Sequence, residues 1–345
     1  MADHARCTPM EPDGTGGSWQ DAGPFLRGTA WFDERGRAVR ADPADLDRLP
    51  WDAAQRAALP VGIRLEFTAA PGTRAVAVRY RAEVPGRAEP LRDLAHCFAL
   101  WEGGSLVGET CARPAEEAEV VLGLPPRPGP FTVHPPEWAA PWLLRLRGVG
   151  GAVAPAPPRP RWVVHGDSIT EGWWATRPAH AWPAAAGRAL GLDAVNLGYA
   201  GAARGELPTA EQLASLPADV LTLAFGTNCW GRTPHSAPLL YETTRAFLDL
   251  VRAGHPRTPL LLLSPVLRPA AESARGGRTR PCGGRRRPAG PAARRGPAGP
   301  AGPRRRPPPE RPGPCAARAG GGGGAARRRL RGNAAGPREG SPGGP

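Results

Sequence analysis

The first half of the chain alternates apolar and polar residues in short runs. V-G-I-R-L-E-F (61–67) and A-V-A-V-R-Y (75–80) both follow a period of two, which is typical of a half-buried strand. Glycine and proline separate the runs, and further short apolar runs follow at 96–101, 119–122, 131–133 and 142–147. The pattern predicts a β-sandwich-like domain over 21–150, after a disordered polar N-terminus over 1–20.

From residue 161 onward, the pattern changes to strands that alternate with helices. Apolar strands are predicted at 162–165, 193–198, 219–226 and 259–267, and helices at 180–190, 209–216 and 239–254. Thr209 and Gln212 have the spacing of a capping box at the start of the second helix. Continuous apolar strands joined by helices are typical of a parallel sheet covered on both faces. We therefore predict an α/β domain over 161–269, joined to the first domain by a proline-rich linker over 151–160.

The last 76 residues follow neither pattern. Beyond Pro269, Leu330 is the only large aliphatic residue, and no aromatic residue occurs. This segment holds 18 of the 45 basic residues, all of them arginine, and three glutamates, so it accounts for the formal net charge of +14. It has too few apolar side chains to form a core, and we expect a disordered basic tail over 270–345. Nucleic-acid binding through this tail is one alternative function.

Cysteine spacing and apolar run length bear on the cellular compartment. The six cysteines form no C-x-x-C pair, and we interpret them as reduced thiols. The N-terminus has no apolar signal region, and no apolar run approaches the roughly 20 residues that span a bilayer. We expect a cytoplasmic protein without a membrane span.

Polar residues follow three of the predicted parallel strands, in the runs H-G-D-S (165–168), N-L-G-Y-A-G (196–201) and F-G-T-N-C (225–229). The carboxyl ends of parallel strands meet at one edge of a sheet, where ligands bind. Acyl transfer needs a nucleophile and hydrogen-bond donors for an oxyanion. Ser168 can be the nucleophile, with donors from the Ser168 and Gly201 backbone N–H groups and the Asn228 amide. Each residue alone could equally be a turn or capping residue.

The blocks G-D-S-I-T, N-x-G-x-x-G and G-T-N, in this order, resemble those of the SGNH (GDSL-type) hydrolase family. The preceding β-rich domain is similar to that of a bacterial subgroup of these esterases. The resemblance implies a flavodoxin-like three-layer α/β/α fold and a serine esterase or acyl hydrolase without metal or cofactor. The substrate would be a small-molecule ester, with an acylated saccharide among the candidates, and no specific nucleic acid would bind. We expect Trp174 at the rim of the substrate site and Asp167 beside the serine, either at the substrate or capping the turn.

The family's fourth block, D-x-x-H near the C-terminus, has no counterpart after Ser168. Its histidine is the general base that accepts the serine proton. The chain has seven histidines, and none follows His255. Arginine, glycine, proline and alanine all have GC-rich codons, so we hypothesise a frameshift between about Arg268 and Gly277 that leaves the α/β domain C-terminally incomplete. A genuine basic tail is the alternative. The prediction is an impaired esterase, and a non-catalytic acyl-sugar-binding protein is the second reading.

Overall fold

The computed structural model describes residues 17–82, 97–111, 115–231 and 233–266. The first part of the chain is mostly strands, with one α-helix and short 3-10 turns at Gly23–Phe25, Pro43–Arg48 and Glu137–Ala139. Its elements in chain order are β1 (Gln20–Asp21), β2 (Leu26–Arg27), β3 (Trp31–Phe32), β4 (Ala38–Val39), α1 (Trp51–Ala57), β5 (Arg64–Ala69), β6 (Ala75–Ala82), β7 (Cys97–Glu102), β8 (Ser105–Cys111), β9 (Ala115–Gly123), β10 (Gly129–His134), β11 (Trp142–Val149) and β12 (Val153–Pro155).

Two antiparallel sheets form a sandwich. One has the strand order β1-β11-β6-β9, and the other has the order β12-β5-β10-β7-β8, with β2 also pairing with β5. Alternate residues of the strands point inward, as the period of two requires. Leu65 and Phe67 of one sheet thereby enter the same core as Val78 and Leu146 of the other. The strands predicted between 61 and 147 are all present, with bounds shifted by a few residues.

The second part of the chain is a parallel sheet with helices. Its elements are β13 (Arg161–Gly166), α2 (Ser168–Glu171), α3 (Trp182–Leu190), β14 (Asp193–Gly198), α4 (Leu207–Ser215), β15 (Val220–Ala224), α5 (Thr227–Gly231), α6 (Ala237–Gly254) and β16 (Leu260–Leu262), with a 3-10 turn at Pro178–His180. The strand order is β14-β13-β15-β16, and every pairing is parallel. Strand β14 lies on one side of β13, whereas β15 and β16 lie on the other. The strand order therefore switches direction beside β13, and ligands bind at such switch points.

Helices cover both faces of this sheet. Val163 of β13 packs on one face with Leu213 of α4 and Phe247 of α6. Val164, the next residue, belongs to a separate cluster on the other face, against which Trp182 of α3 packs. The strands are buried on both sides, which explains their continuous apolar sequences. The predicted fold class, a three-layer α/β/α domain preceded by a β-sandwich, is confirmed.

A segment from the first part of the chain joins the α/β core. Ala41, Leu49 and the α1 residues Ala53 and Ala57 are buried in the same cluster as Val163. The boundary predicted near residue 150 stays a prediction, but the packing shows that this segment contributes to the core of the second part rather than to the sandwich.

Three local expectations need correction. Gly17 donates its N–H to the carbonyl of Gly148 (3.0 Å), and Gln20 pairs with Leu146, so the chain is hydrogen-bonded before residue 20. The linker begins as the edge strand β12, a position where proline is tolerated because its missing N–H is not needed. The capping box at Thr209 is wrong, because Pro208 lets α4 begin two residues earlier and buries Thr209 within the helix.

Other expectations fall beyond the described ranges. Residues 1–16 of the predicted disordered N-terminus and the whole basic tail, 270–345, lie outside the described residues. Within the described ranges, no helix is long and apolar enough to cross a membrane.

Candidate active site

Ser168 is the first residue of α2, directly after the central strand β13. Asp167 is the N-cap of this short helix, and its Oδ1 accepts a hydrogen bond from the N–H of Ile169 (2.9 Å). Gly166 precedes it because a Cβ there would overlap the Thr170 hydroxyl and the Ala224 carbonyl. The result is a tight strand-to-helix turn that leaves Ser168 half-buried at the carboxyl edge of the sheet.

Gly201 lies in the loop after β14. Its φ of +77° is in the left-handed region, which favours glycine. Gly198, at the end of β14, has no room for a side chain because a Cβ would overlap the Glu171 backbone of α2. The N–H of Tyr199 donates to the Gly166 carbonyl (2.8 Å), so this loop is tied to the turn that carries Ser168.

Asn228 lies in α5, directly after β15, and is buried. Its side-chain Nδ2 donates to the carbonyl of Ala202, in the loop of Gly201. The N–H of Asp167 donates to Ala224, the last residue of β15 (3.3 Å). Hydrogen bonds therefore connect all three loops that carry the predicted site residues.

The predicted oxyanion donors remain available in this arrangement. Within the part of the chain that the structure describes, neither the Ser168 nor the Gly201 backbone N–H has a hydrogen-bond acceptor. The Asn228 Nδ2 carries two hydrogens and donates one to Ala202. Three N–H donors at the same sheet edge can stabilise a developing negative charge.

Glu171, at the end of α2, is the centre of a buried charge cluster that the sequence analysis did not identify. Its carboxylate accepts from the Ala200 N–H (2.8 Å) and from Nε of Arg56 (3.1 Å), and Nη2 of Arg40 lies 3.8 Å away. Glu171 is 2% exposed and Arg40 is 1% exposed. The carboxylate therefore links the serine-bearing helix to the residue directly before Gly201.

Arg40 extends this cluster toward β14. Its Nη1 donates to the carbonyl of Gly198 (2.5 Å), and its Nε donates to the carbonyl of Leu59 (2.6 Å). The Tyr199 hydroxyl donates to the Arg40 carbonyl. Because burial removes water from the guanidinium, the pKa of Arg40 is below its usual value, and the nearby Glu171 carboxylate opposes that shift. No sequence signal pairs residues 40 and 171, because they lie on different parts of the chain.

None of the histidines in the described ranges hydrogen-bonds to Ser168. His165 is three residues away, but its Nδ1–H donates to the Leu197 carbonyl (2.9 Å), and its ring stacks on that of Phe247 (5.5 Å between centroids). Burial lowers the pKa of His165, so the ring is held neutral within the core. His165 is therefore a packed strand residue.

The other histidines of the described ranges have partners elsewhere or lie in the sandwich. His255 donates to Leu213 (3.0 Å) in the turn after α6, at the opposite edge of the sheet. His235 donates to Thr233 (2.6 Å) and His180 shares a hydrogen bond with Thr176 (2.9 Å). His134 belongs to the sandwich strand β10.

One D-x-x-H spacing was missed in the sequence. Asp93 and His96 have it. They precede Ser168, whereas the family's block follows the serine, and they lie outside the described residues.

The other predicted site residues have mixed placements. Trp174, six residues after Ser168, is 73% exposed, whereas Asp167 is buried as a helix cap. Cys229, beside Asn228, is buried, and this burial raises the pKa of its thiol to about 11. Cys229 therefore fits a packed residue rather than a reactive thiol.

A parallel sheet covered by helices, with a serine at its switch point and a β-sandwich before it, defines the class: an SGNH-hydrolase fold. Residues 164–304 match the model of the GDSL-like Lipase/Acylhydrolase family. The match begins close to the predicted start and extends beyond the last described residue.

Solved structures support the assignment. The salicylyl-acyltransferase SsfX3 from a tetracycline biosynthetic pathway is 25% identical, with a TM-score of 0.62 over 72% of both chains. A protein described as a GDSL-like lipase from Bacteroides ovatus ATCC 8483 is 22% identical, with a TM-score of 0.58 over 71% of this chain and 73% of that one.

A family two carbohydrate esterase from Cellvibrio japonicus is 14% identical, with a TM-score of 0.50 over 73% of this chain and 80% of that one. At identities below 25%, these likenesses show the fold alone. The search of curated protein sequences gives no match.

Proposed function

We propose that this chain belongs to the serine-dependent acyl-transfer enzymes of its family and uses Ser168 as the nucleophile. The observation that carries the proposal is the hydrogen bonding that joins the three loops: Tyr199 to Gly166, Asp167 to Ala224 and Asn228 to Ala202. It holds a serine and three N–H donors at one sheet edge, which is the geometry that ester cleavage requires.

The chemistry follows from these groups. The Ser168 Oγ attacks the ester carbonyl carbon, and the oxyanion that forms accepts hydrogen bonds from the Ser168 and Gly201 N–H groups and the Asn228 amide. Collapse of this intermediate breaks the ester C–O bond, the leaving oxygen takes up the proton released from the Ser168 hydroxyl, and the alcohol departs with an acyl group left on Ser168. Water then releases the acid, or a second alcohol accepts the acyl group. The likeness to an acyltransferase supports the second outcome as well as hydrolysis.

We propose a small-molecule ester as the substrate, with an acylated saccharide among the candidates. The exposed ring of Trp174 offers an apolar surface six residues after Ser168, and such surfaces stack against sugar rings or acyl chains. Asp167 is the weaker candidate for substrate contact, because its carboxylate is buried and already accepts from Ile169.

We further propose that this chain is a slow catalyst. Among the described residues, the Ser168 hydroxyl has no hydrogen-bond partner, and no histidine follows His255 in the sequence. General-base help contributes about 10²–10⁴-fold to such reactions. We attribute the missing base to the frameshift inferred from the tail composition. Sequencing the DNA across codons 260–345 tests this, since a D-x-x-H in another frame is expected and its absence from all frames would refute a frameshift.

The test of the function is hydrolysis of p-nitrophenyl acetate by the full chain. We expect a low rate above that of buffer, which Ser168→Ala abolishes and the exposed-site control Ser105→Ala leaves unchanged. Mass spectrometry after treatment with a fluorophosphonate should place the label on Ser168. Equal hydrolysis by wild type and Ser168→Ala would remove Ser168 from the mechanism. Saturable binding of an acylated sugar without any turnover would favour the non-catalytic reading.

A further inference from the structure

A cavity lies between the sandwich and helix α3, away from Ser168. Its volume is about 10 Å³, close to the space that one water-sized group needs. Sandwich residues line one side and α3 residues line the other. The polar side chains of its wall are Arg64, Glu66, Thr132, His134, Arg159 and Arg188.

Two of these side chains carry buried polar atoms without a partner in the described residues. His134 is 2% exposed, and neither its Nδ1 nor its Nε2 has a hydrogen bond. Nη1 of Arg188 is also buried and unbonded. A buried donor left unsatisfied destabilises a fold, and nearly all such groups in proteins have a partner. These atoms therefore indicate a bound group in the cavity.

Arg188 is held in place by its other contacts. Its Nη2 donates to the Ala179 carbonyl (2.7 Å), and its guanidinium carbon lies 5.0 Å from the ring centroid of Trp101. The guanidinium is thus held by the 3-10 turn at Pro178–His180 on one side and by sandwich strand β7 on the other. Nη1 is the guanidinium nitrogen that these contacts leave without an acceptor among the described residues.

The charges around the cavity are unbalanced. Arg64 donates to both Glu66 (2.6 Å) and Asp193 (2.8 Å), and Arg159 also pairs with Glu66. Arg188 has no carboxylate partner among the described residues. Three arginines face two carboxylates, which leaves one positive charge.

His134 does not add to this positive charge. Burial, together with the positive charges of Arg64 and Arg188, holds the pKa of His134 well below its usual value. A neutral imidazole still carries one N–H donor. The cavity wall therefore combines one uncompensated guanidinium with a neutral N–H donor.

We propose that this cavity binds one small inorganic anion of about the size of chloride, with Nη1 of Arg188 and a ring N–H of His134 as its donors. A water molecule would satisfy the hydrogen bonds but would leave the charge of Arg188 uncompensated. The anion would connect the sandwich to α3, and so it would stabilise the contact between the two parts of the molecule.

The test is thermal unfolding of the full chain in sodium chloride against sodium gluconate at equal ionic strength. Because an anion that binds only the folded protein stabilises it, we expect Tm to rise with chloride and to saturate. Arg188→Gln should weaken the apparent chloride affinity about tenfold or more, since a hydrogen bond to a charged group is lost. Arg145→Gln, at an exposed position of β11, is the matched control and should behave as wild type.

A second measurement keeps the proposal testable if Arg188→Gln fails to fold. Crystals of the wild-type chain soaked in sodium bromide should give an anomalous peak in the cavity beside Arg188 and His134. Equal Tm in the two salts with no anomalous peak would overturn the proposal and indicate water alone. A chloride effect of equal size in Arg188→Gln would also overturn it, because the effect would then arise elsewhere on the surface.

Discussion

The two cores of this molecule differ in how completely the described residues enclose them. In the sandwich, inward residues of both sheets bury each other, and Phe67 and Phe131 are almost inaccessible. In the α/β part, every residue of β14 is buried. At the other edge of the same sheet, Leu261 and Leu262 of β16 remain 53% and 49% exposed among the described residues.

The difference follows from how each fold is connected. The sandwich builds both of its sheets from antiparallel strands between Gln20 and Pro155, so its core is complete within that range. A parallel sheet buries its strands only where crossover helices cover both faces. Here α1 from the first part of the chain supplies some of that cover. The α/β core therefore depends on the segment that holds α1, between β4 and β5.

Matched core truncations test this comparison and should have the largest effects. Phe67→Ala in the sandwich and Phe247→Ala in the α/β core should each cost about 3–5 kcal/mol, because each leaves a cavity. The buried bonds from Arg64 to Asp193 and from Arg40 to Gly198 join the two parts. We therefore expect calorimetry to show one transition that both variants lower. Two transitions, each moved by only one variant, would contradict the joint packing.

A smaller set of contacts joins the serine helix to the first part of the chain. Glu171→Gln removes the charge between Arg40 and Arg56, and it should destabilise the fold by about 3–5 kcal/mol because buried cations lose their partner. The control Glu242→Gln breaks an exposed pair with Arg245 and should change stability by less than about 0.5 kcal/mol.

Urea unfolding measures both variants. Fluorophosphonate labelling of Ser168 should also slow in Glu171→Gln, under conditions where the variant is folded, because Ala200 loses its ionised acceptor. Unchanged stability and labelling would show that the cluster does not organise the site.

The smallest predicted effect is pH-dependent. The hydrogen bonds from Arg204, in the loop after β14, hold the pKa of Asp52 in α1 below its ordinary value. The carboxylate therefore stabilises the fold above its unfolded pKa of about 3.9, and this contribution is lost as pH falls through the lower folded pKa. Asp52→Asn should cost up to about 1 kcal/mol at pH 7 and almost nothing at low pH. Urea unfolding at both pH values measures the difference in stability between wild type and Asp52→Asn. An equal difference at the two pH values would show that the pair with Arg204 does not contribute.

The sequence predicted the elements whose formation depends on residues close to one another along the chain. Alternation gave β5 and β6, and the apolar runs gave β13, β14 and β15, because strand period and burial depend on local pattern. The capping prediction at Thr209 failed because a nearby proline offered an earlier start for α4. The three site blocks were identified because each directly follows a strand.

The buried charges could not be predicted in the same way. Arg40 and Glu171 lie more than one hundred residues apart, and neither differs in sequence context from a solvated residue. From the sequence alone, Gly166 and Gly198 could be interpreted only as turn residues. Their requirement for close backbone contact depends on α2 lying across the ends of two strands.

The connection between β12 and β13 has a mechanical consequence. Only five residues separate the two strands, and three of them are prolines. Both ends are anchored, since Ala156 donates to Glu66 (3.1 Å) and the Arg161 N–H donates to Asp219 (2.7 Å). Such a connection is rigid and does not act as a hinge, because proline fixes its φ angles. We expect the sandwich to keep a fixed position relative to the α/β part.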